Sequence, residues 1–211
     1  MYIIYMFKNN IAFSLVAILS GLLALIFEII DIFNGKKDIH LPTRYTDEDN
    51  KFPKRLIFFL SKLSNLNLIA FILLFIFKLN KIKINNYLMI FAPVIFATNF
   101  LYYYKLYNFK KYNFIDQEFK NFFSHFLVNI FLMLVIFFSK NLKELNLVSI
   151  IYFYLFFLFY FIIVIINKIY RKTWPYGSIS DLTKKEGLKN LTLLLALSQI
   201  FAICLFYYPA A

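Results

Sequence analysis

The sequence holds a single cysteine, Cys204. No disulfide can form within the chain, and neither a Cys-x-x-Cys pair nor the Cys/His spacing of a zinc site exists. Metal and cofactor chemistry therefore have no support in the sequence. Helix breakers are nearly as scarce, with four glycines and five prolines. Only Gly21 and Pro93 fall well inside an apolar run, and a kink at Pro93 is tolerated in a bundle, so long helices are expected. Also missing is any linker, low-complexity segment or internal repeat that would divide the chain, so residues 1–211 are read as one domain. The opening Met1-Tyr2-Ile3-Ile4 lacks the basic start and small-residue cleavage site of a signal peptide, and the first apolar run is expected to be retained.

What the chain has in abundance is apolar surface: 62% of the residues are apolar and the mean hydropathy is +0.69. A soluble domain of this size has no interior large enough for that content. The expected class is an all-α integral membrane protein, a bundle of about six transmembrane helices, each needing about 20 apolar residues to cross ~30 Å of hydrocarbon. The runs lie at about Ile11–Phe33, Leu56–Phe77, Tyr87–Tyr107, Phe122–Phe138, Leu147–Asn167 and Lys189–Tyr208, the fourth being the shortest. The aromatic content carries little weight as evidence of a site, because Phe, Ile, Asn, Lys and Tyr all have AT-rich codons.

The formal charge of +12 could suggest nucleic acid, but the cations sit between the apolar runs, where the bias of basic residues toward cytoplasmic loops explains them. Of 23 Lys and Arg, sixteen fall in loops one, three and five; six fall on the opposite side, and Lys62 lies inside a run. That asymmetry predicts a cell-membrane protein with its odd-numbered loops in the cytoplasm and both termini outside. Membrane lipids, the anionic ones on the basic face included, are the expected partners, with no role for nucleic acid.

Polar side chains inside the runs are lopsided. Glu28, Asp31, Ser61, Lys62, Ser64, Asn65, Asn67, Thr98, Asn99, Ser124, His125 and Asn129 all lie in the half of the membrane next to the odd loops. On continuous helices Ser61, Ser64 and Asn65 form one stripe at i, i+3 and i+4, and His125 and Asn129 a second at i, i+4. Helix-end chemistry accounts for each residue singly. Ser and Asn hydrogen-bond between membrane helices, Lys62 can snorkel, and Glu28 and Asp31 can pair with Lys36 and Lys37.

His125 is less ordinary, since histidine is rare in spans and titrates near neutrality. A Ser hydroxyl whose proton a His accepts is the minimum machinery for acyl transfer to or from an ester. Ser61 is the candidate nucleophile, with Ser64 as its rival, and His125 is the candidate base. No Gly-x-Ser-x-Gly elbow is present, so the oxyanion must be met by Asn65, Asn129 or backbone N–H groups. Loop five adds Trp174-Pro175-Tyr176 and Asp181, read as an interfacial anchor or as a lid supporting the site.

Three segments together resemble one family of six-span membrane proteins: Phe59-Leu60-Ser61-Lys62-Leu63-Ser64-Asn65-Leu66, His125, and an aromatic fifth helix ending in Trp174-Pro175-Tyr176. The family is that of the androgen-induced and androgen-dependent TFPI-regulating proteins with their uncharacterised bacterial branch. Its bacterial members read approximately aromatic-Thr-x-x-Ser-Asn-Leu and Trp-Tyr-Pro-Tyr-Pro-Phe-Leu-Asp at the corresponding places. Animal members are intramembrane threonine hydrolases of fatty-acid esters of hydroxy fatty acids. The resemblance implies a lipid-ester substrate, with Ser61 standing where the family carries Thr and His125 where it carries His. The alternatives are a small-solute carrier subunit, which also has about six spans, and a non-catalytic membrane scaffold.

Overall fold

The computed structural model describes residues 11–33, 52–108, 122–138, 147–171 and 185–206; Trp174, Tyr176 and Asp181 lie outside these. All the regular elements among the described residues are helical. They are α1 (Ile11–Phe33), α2 (Phe52–Ser61), α3 (Leu63–Leu79), α4 (Asn85–Asn108), α5 (Val128–Phe138), α6 (Leu147–Arg171) and α7 (Lys185–Phe206), with a π-helical turn over Phe122–Leu127 leading into α5. Among them α1 and α6 are long and apolar enough to cross a membrane, and the α2–α3 pair makes a third if it is one crossing.

The helices are apolar on the outside, and the inner face of α1 is small or polar. Leu19, Phe137 and Ile169 are 64%, 81% and 69% exposed, a surface that hydrocarbon covers without penalty. The buried stripe of α1 is Ser14, Ala17, Ser20, Gly21 and Ala24. Lipid is as apolar as leucine, so helices in it associate through close packing and hydrogen bonds, and small residues permit the approach. At Gly21 the approach to α3 is tight: a Cβ there would stand 2.8 Å from Ile72 Cγ1 and 3.0 Å from Phe71 Cδ1. Phe71, Phe75 and Leu132 fill the core around this contact. A second core, of Leu63, Val94, Ala97, Phe153, Tyr160 and Val164, joins α3, α4 and α6. The hydroxyl of Tyr87 on α4 donates to the Ala70 carbonyl of α3 at 3.0 Å.

The expected unbroken helix over Leu56–Phe77 is not found. The chain bends by 76° between α2 and α3, with Lys62 in an extended conformation at φ −79, ψ 113. Side chains compensate the carbonyls that lose helical donors, which is how Ser and Asn compete with a helix. Ser61 Oγ donates to Phe58 O at 2.8 Å and Asn65 Nδ2 to Phe59 O at 3.0 Å, while the Lys62 carbonyl accepts from Asn65 N at 3.0 Å. The break removes the expected single stripe as well, since Ser61 ends one helix and Ser64 and Asn65 begin another.

Candidate functional site

Two polar clusters lie in the half of the bundle next to loops one and three. The first is built by α4, the π-helical turn and α5. A π turn carries one residue more than an α turn and is found mostly at functional positions; here it buries Ser124 and His125. His125 Nδ1 lies 2.6 Å from Asn99 Oδ1. Asn99 Nδ2 donates to Asn129 Oδ1 at 2.8 Å and, more weakly, to the His125 carbonyl at 3.4 Å.

These contacts set the polarity of the imidazole. As the amide is placed, Nδ2 faces Asn129 Oδ1 and the His125 carbonyl, and Oδ1 faces the ring. Because Oδ1 only accepts, the proton of the neutral imidazole sits on Nδ1, and Nε2 carries the lone pair. A partner on one ring nitrogen selecting the tautomer and aim of the other is how histidine bases and ligands are oriented.

The second cluster surrounds the α2–α3 break. Lys62 Nζ lies 3.6 Å from Glu28 Oε2, with the two side chains 7% and 10% exposed. Glu28 thus meets a cation inside the bundle, and Lys62 is drawn inward to it and does not snorkel; Lys36 and Lys37, the loop partners expected for Glu28 and Asp31, lie outside the described residues. The pairing spares each group much of the cost of an isolated charge in hydrocarbon. The Phe58 ring is approached by two cations, Lys62 Nζ at 5.1 Å and the Arg171 guanidinium at 4.1 Å. Asn65 is fully buried, and its Oδ1, like both amide atoms of Asn67, has no hydrogen-bond partner among the described residues.

Helix α1 packs on both clusters, touching α2, α3 and the π-helical turn. The fold therefore brings His125 and Asn129 together through Asn99, and Ser61 and Asn65 together at the break. Ser61 and His125 are each engaged elsewhere, Ser61 with the Phe58 carbonyl and His125 with Asn99. Ser64 is half-buried in the first turn of α3. Sequence reasoning missed Asn99 as a site residue, although its depth matched that of His125, and missed the pairing of Glu28 with Lys62. Among the described residues no group of three or more His, Cys, Asp or Glu is placed to hold a metal ion.

No family model matches the chain, and neither a curated protein nor a solved structure matches it.

Proposed function

We propose that this is a membrane-embedded serine hydrolase of about six spans, acting on a lipid ester that enters laterally from the bilayer, with His125 as general base. The observation that carries the reading is the orientation of His125: Asn99 holds Nδ1 at 2.6 Å and so leaves the lone pair on Nε2. Ser61 is the nucleophile. It stands at the break, two residues before Leu63 opens α3, where the dipole of that helix favours negative charge.

In the reaction Ser61 Oγ turns from the Phe58 carbonyl and attacks the ester carbonyl carbon, its proton passing to His125 Nε2. The tetrahedral oxyanion collapses, and the leaving alkoxide takes the proton from Nε2. Water, activated by the same nitrogen, then attacks the acyl-serine, releases the fatty acid and restores Ser61. The resemblance to the androgen-induced and androgen-dependent proteins supports the same pair and substrate class. The charge bias supports cytoplasmic odd loops, and with that topology both clusters belong to the cytoplasmic half of the cell membrane.

Fluorophosphonate labelling of the purified protein in detergent tests the proposal. Label should enter the wild type and Ser64→Ala, and be lost from Ser61→Ala and His125→Ala. A folded wild type that takes up no label, or Ser61→Ala labelling like wild type, sinks it.

One observation favours a second reading, a small-solute carrier. Carriers build their sites from discontinuous helices, and the α2–α3 break lies beside Asn65 Oδ1 and the buried amide of Asn67, which lack hydrogen-bond partners among the described residues. A carrier binds its solute with a rise in thermal stability and no turnover. A protein that neither labels nor binds is a scaffold.

A further inference from the structure

A groove of about 310 Å³ opens on the outer surface between α4, α6 and α7, walled by Met89, Ser149, Ile150, Phe153 and Ala202, with Tyr154 and Gln199 hydrogen-bonded to each other in its wall. That volume falls at the small end of sites that take organic ligands. Met89 and Asn99 are ten residues apart on α4, which sets the groove roughly 15 Å along the helix from the His125 cluster. The groove is independent of the proposed hydrolytic site.

Gln199 Nε2 donates to the Tyr154 hydroxyl oxygen at 2.7 Å. The tyrosine oxygen is thereby an acceptor, and its own proton remains to be donated; Gln199 Oε1 remains to accept. Neither has a partner among the described residues. Tyr154 lies seven residues into α6 and Gln199 seven residues before the end of α7, so each is about 10 Å from its helix end. At that depth in hydrocarbon no bulk water meets a polar group, and an unmet one is costly.

We infer that the groove binds an amphiphile made of an apolar body and one hydroxyl, a fatty alcohol or sterol. Its oxygen accepts from Tyr154 and its proton goes to Gln199 Oε1. The hydrogen-bonding pattern selects this chemistry. An ester carbonyl only accepts and would leave Gln199 Oε1 unmet. A carboxylate also lacks a donor and brings a charge into hydrocarbon. A bare acyl chain meets neither group.

The test uses the full chain in phosphatidylcholine nanodiscs with a diazirine-bearing hexadecanol and its methyl ether. The alcohol should label peptides from α6 and α7, be displaced by excess hexadecanol, and label about threefold more strongly than the ether, whose oxygen still accepts from Tyr154 but donates nothing to Gln199, the effect of one hydrogen bond of average membrane strength. The double variant Tyr154→Phe with Gln199→Leu should erase that preference, and Ala202→Trp should block labelling by filling the groove. Equal labelling by alcohol and ether overturns the inference, as does label spread evenly over the lipid-facing helices. A double variant that changes the oligomeric state also overturns it, since the groove then holds a second copy of the chain. The comparison of alcohol with ether on the wild type decides the matter even where a variant fails to fold.

Discussion

Replacing Asn99 by Ala removes three contacts at once: 2.6 Å to His125 Nδ1, 2.8 Å to Asn129 Oδ1 and 3.4 Å to the His125 carbonyl. Hydrogen bonds between membrane helices are worth ~0.6 kcal/mol on average and ~1.7 at most. Giving the shortest contact the upper figure, the second the average and the stretched third nothing, Asn99→Ala should cost roughly 2–2.5 kcal/mol. Asn129→Ala removes only the second bond and should cost about 0.6 kcal/mol. The double variant should cost no more than Asn99→Ala alone, a coupling of about 0.6 kcal/mol. Reversible unfolding of the purified protein, by titrating a denaturing into a mild detergent, measures all three. Nitrogen chemical shifts of the His125 ring add an independent readout: Nδ1 should be the protonated nitrogen in the wild type and lose that preference in Asn99→Ala. Strictly additive costs, or a wild-type ring protonated on Nε2, would refute the orientation argument. Asn99→Asp should not rescue, because its second oxygen donates nothing to Asn129 and would face the His125 carbonyl.

Three other outcomes can be checked by the same unfolding assay. Gly21→Val should cost about 1–3 kcal/mol by overpacking, since even a Cβ would stand 2.8 Å from Ile72 Cγ1; a neutral result would mean that α1 and α3 lie farther apart. Glu28→Gln takes the carboxylate from beside the buried Lys62 ammonium and should cost about 3–5 kcal/mol, most of it regained in Glu28→Leu with Lys62→Met. Tyr87→Phe deletes the bond to the Ala70 carbonyl and should cost only about 0.6 kcal/mol, with no loss of fold.

The helical class was legible in the sequence because apolar runs report it directly: α1 occupies the run drawn for it, and α6 extends its run by one turn to Arg171. The count of crossings was less so; two or three of the described helices meet the length and composition for one. Lys62 shows why the backbone was hidden. An apolar run has the same composition whether straight or bent, and the bend depends on which carbonyls Ser61 and Asn65 can reach. The site was half legible. His125 and Asn129 share a partner as their spacing implied, but that partner, Asn99, is separated from His125 by 26 positions, and no local pattern signals such a contact. Glu28 and Lys62 likewise belong to different runs, and no local pattern signals their pairing.

The bend at Lys62 also changes how this stretch meets the bilayer. A straight helix over the same run would set Lys62 about 9 Å below its end, at a cost approaching the ~2.5–3.5 kcal/mol of a charge at midplane. If α2 and α3 make one crossing and α3 follows the membrane normal, the 76° bend leaves α2 almost flat, contributing only about 4 Å of depth against about 25 Å for α3. Together they match the ~30 Å of hydrocarbon. In that crossing the corner at Ser61 lies toward one edge of the hydrocarbon, next to the layer that holds the ester linkages of glycerolipids, while the Lys62 side chain stays turned inward to Glu28. A lipid could present its own carbonyl there by sliding sideways, without first being lifted from its leaflet.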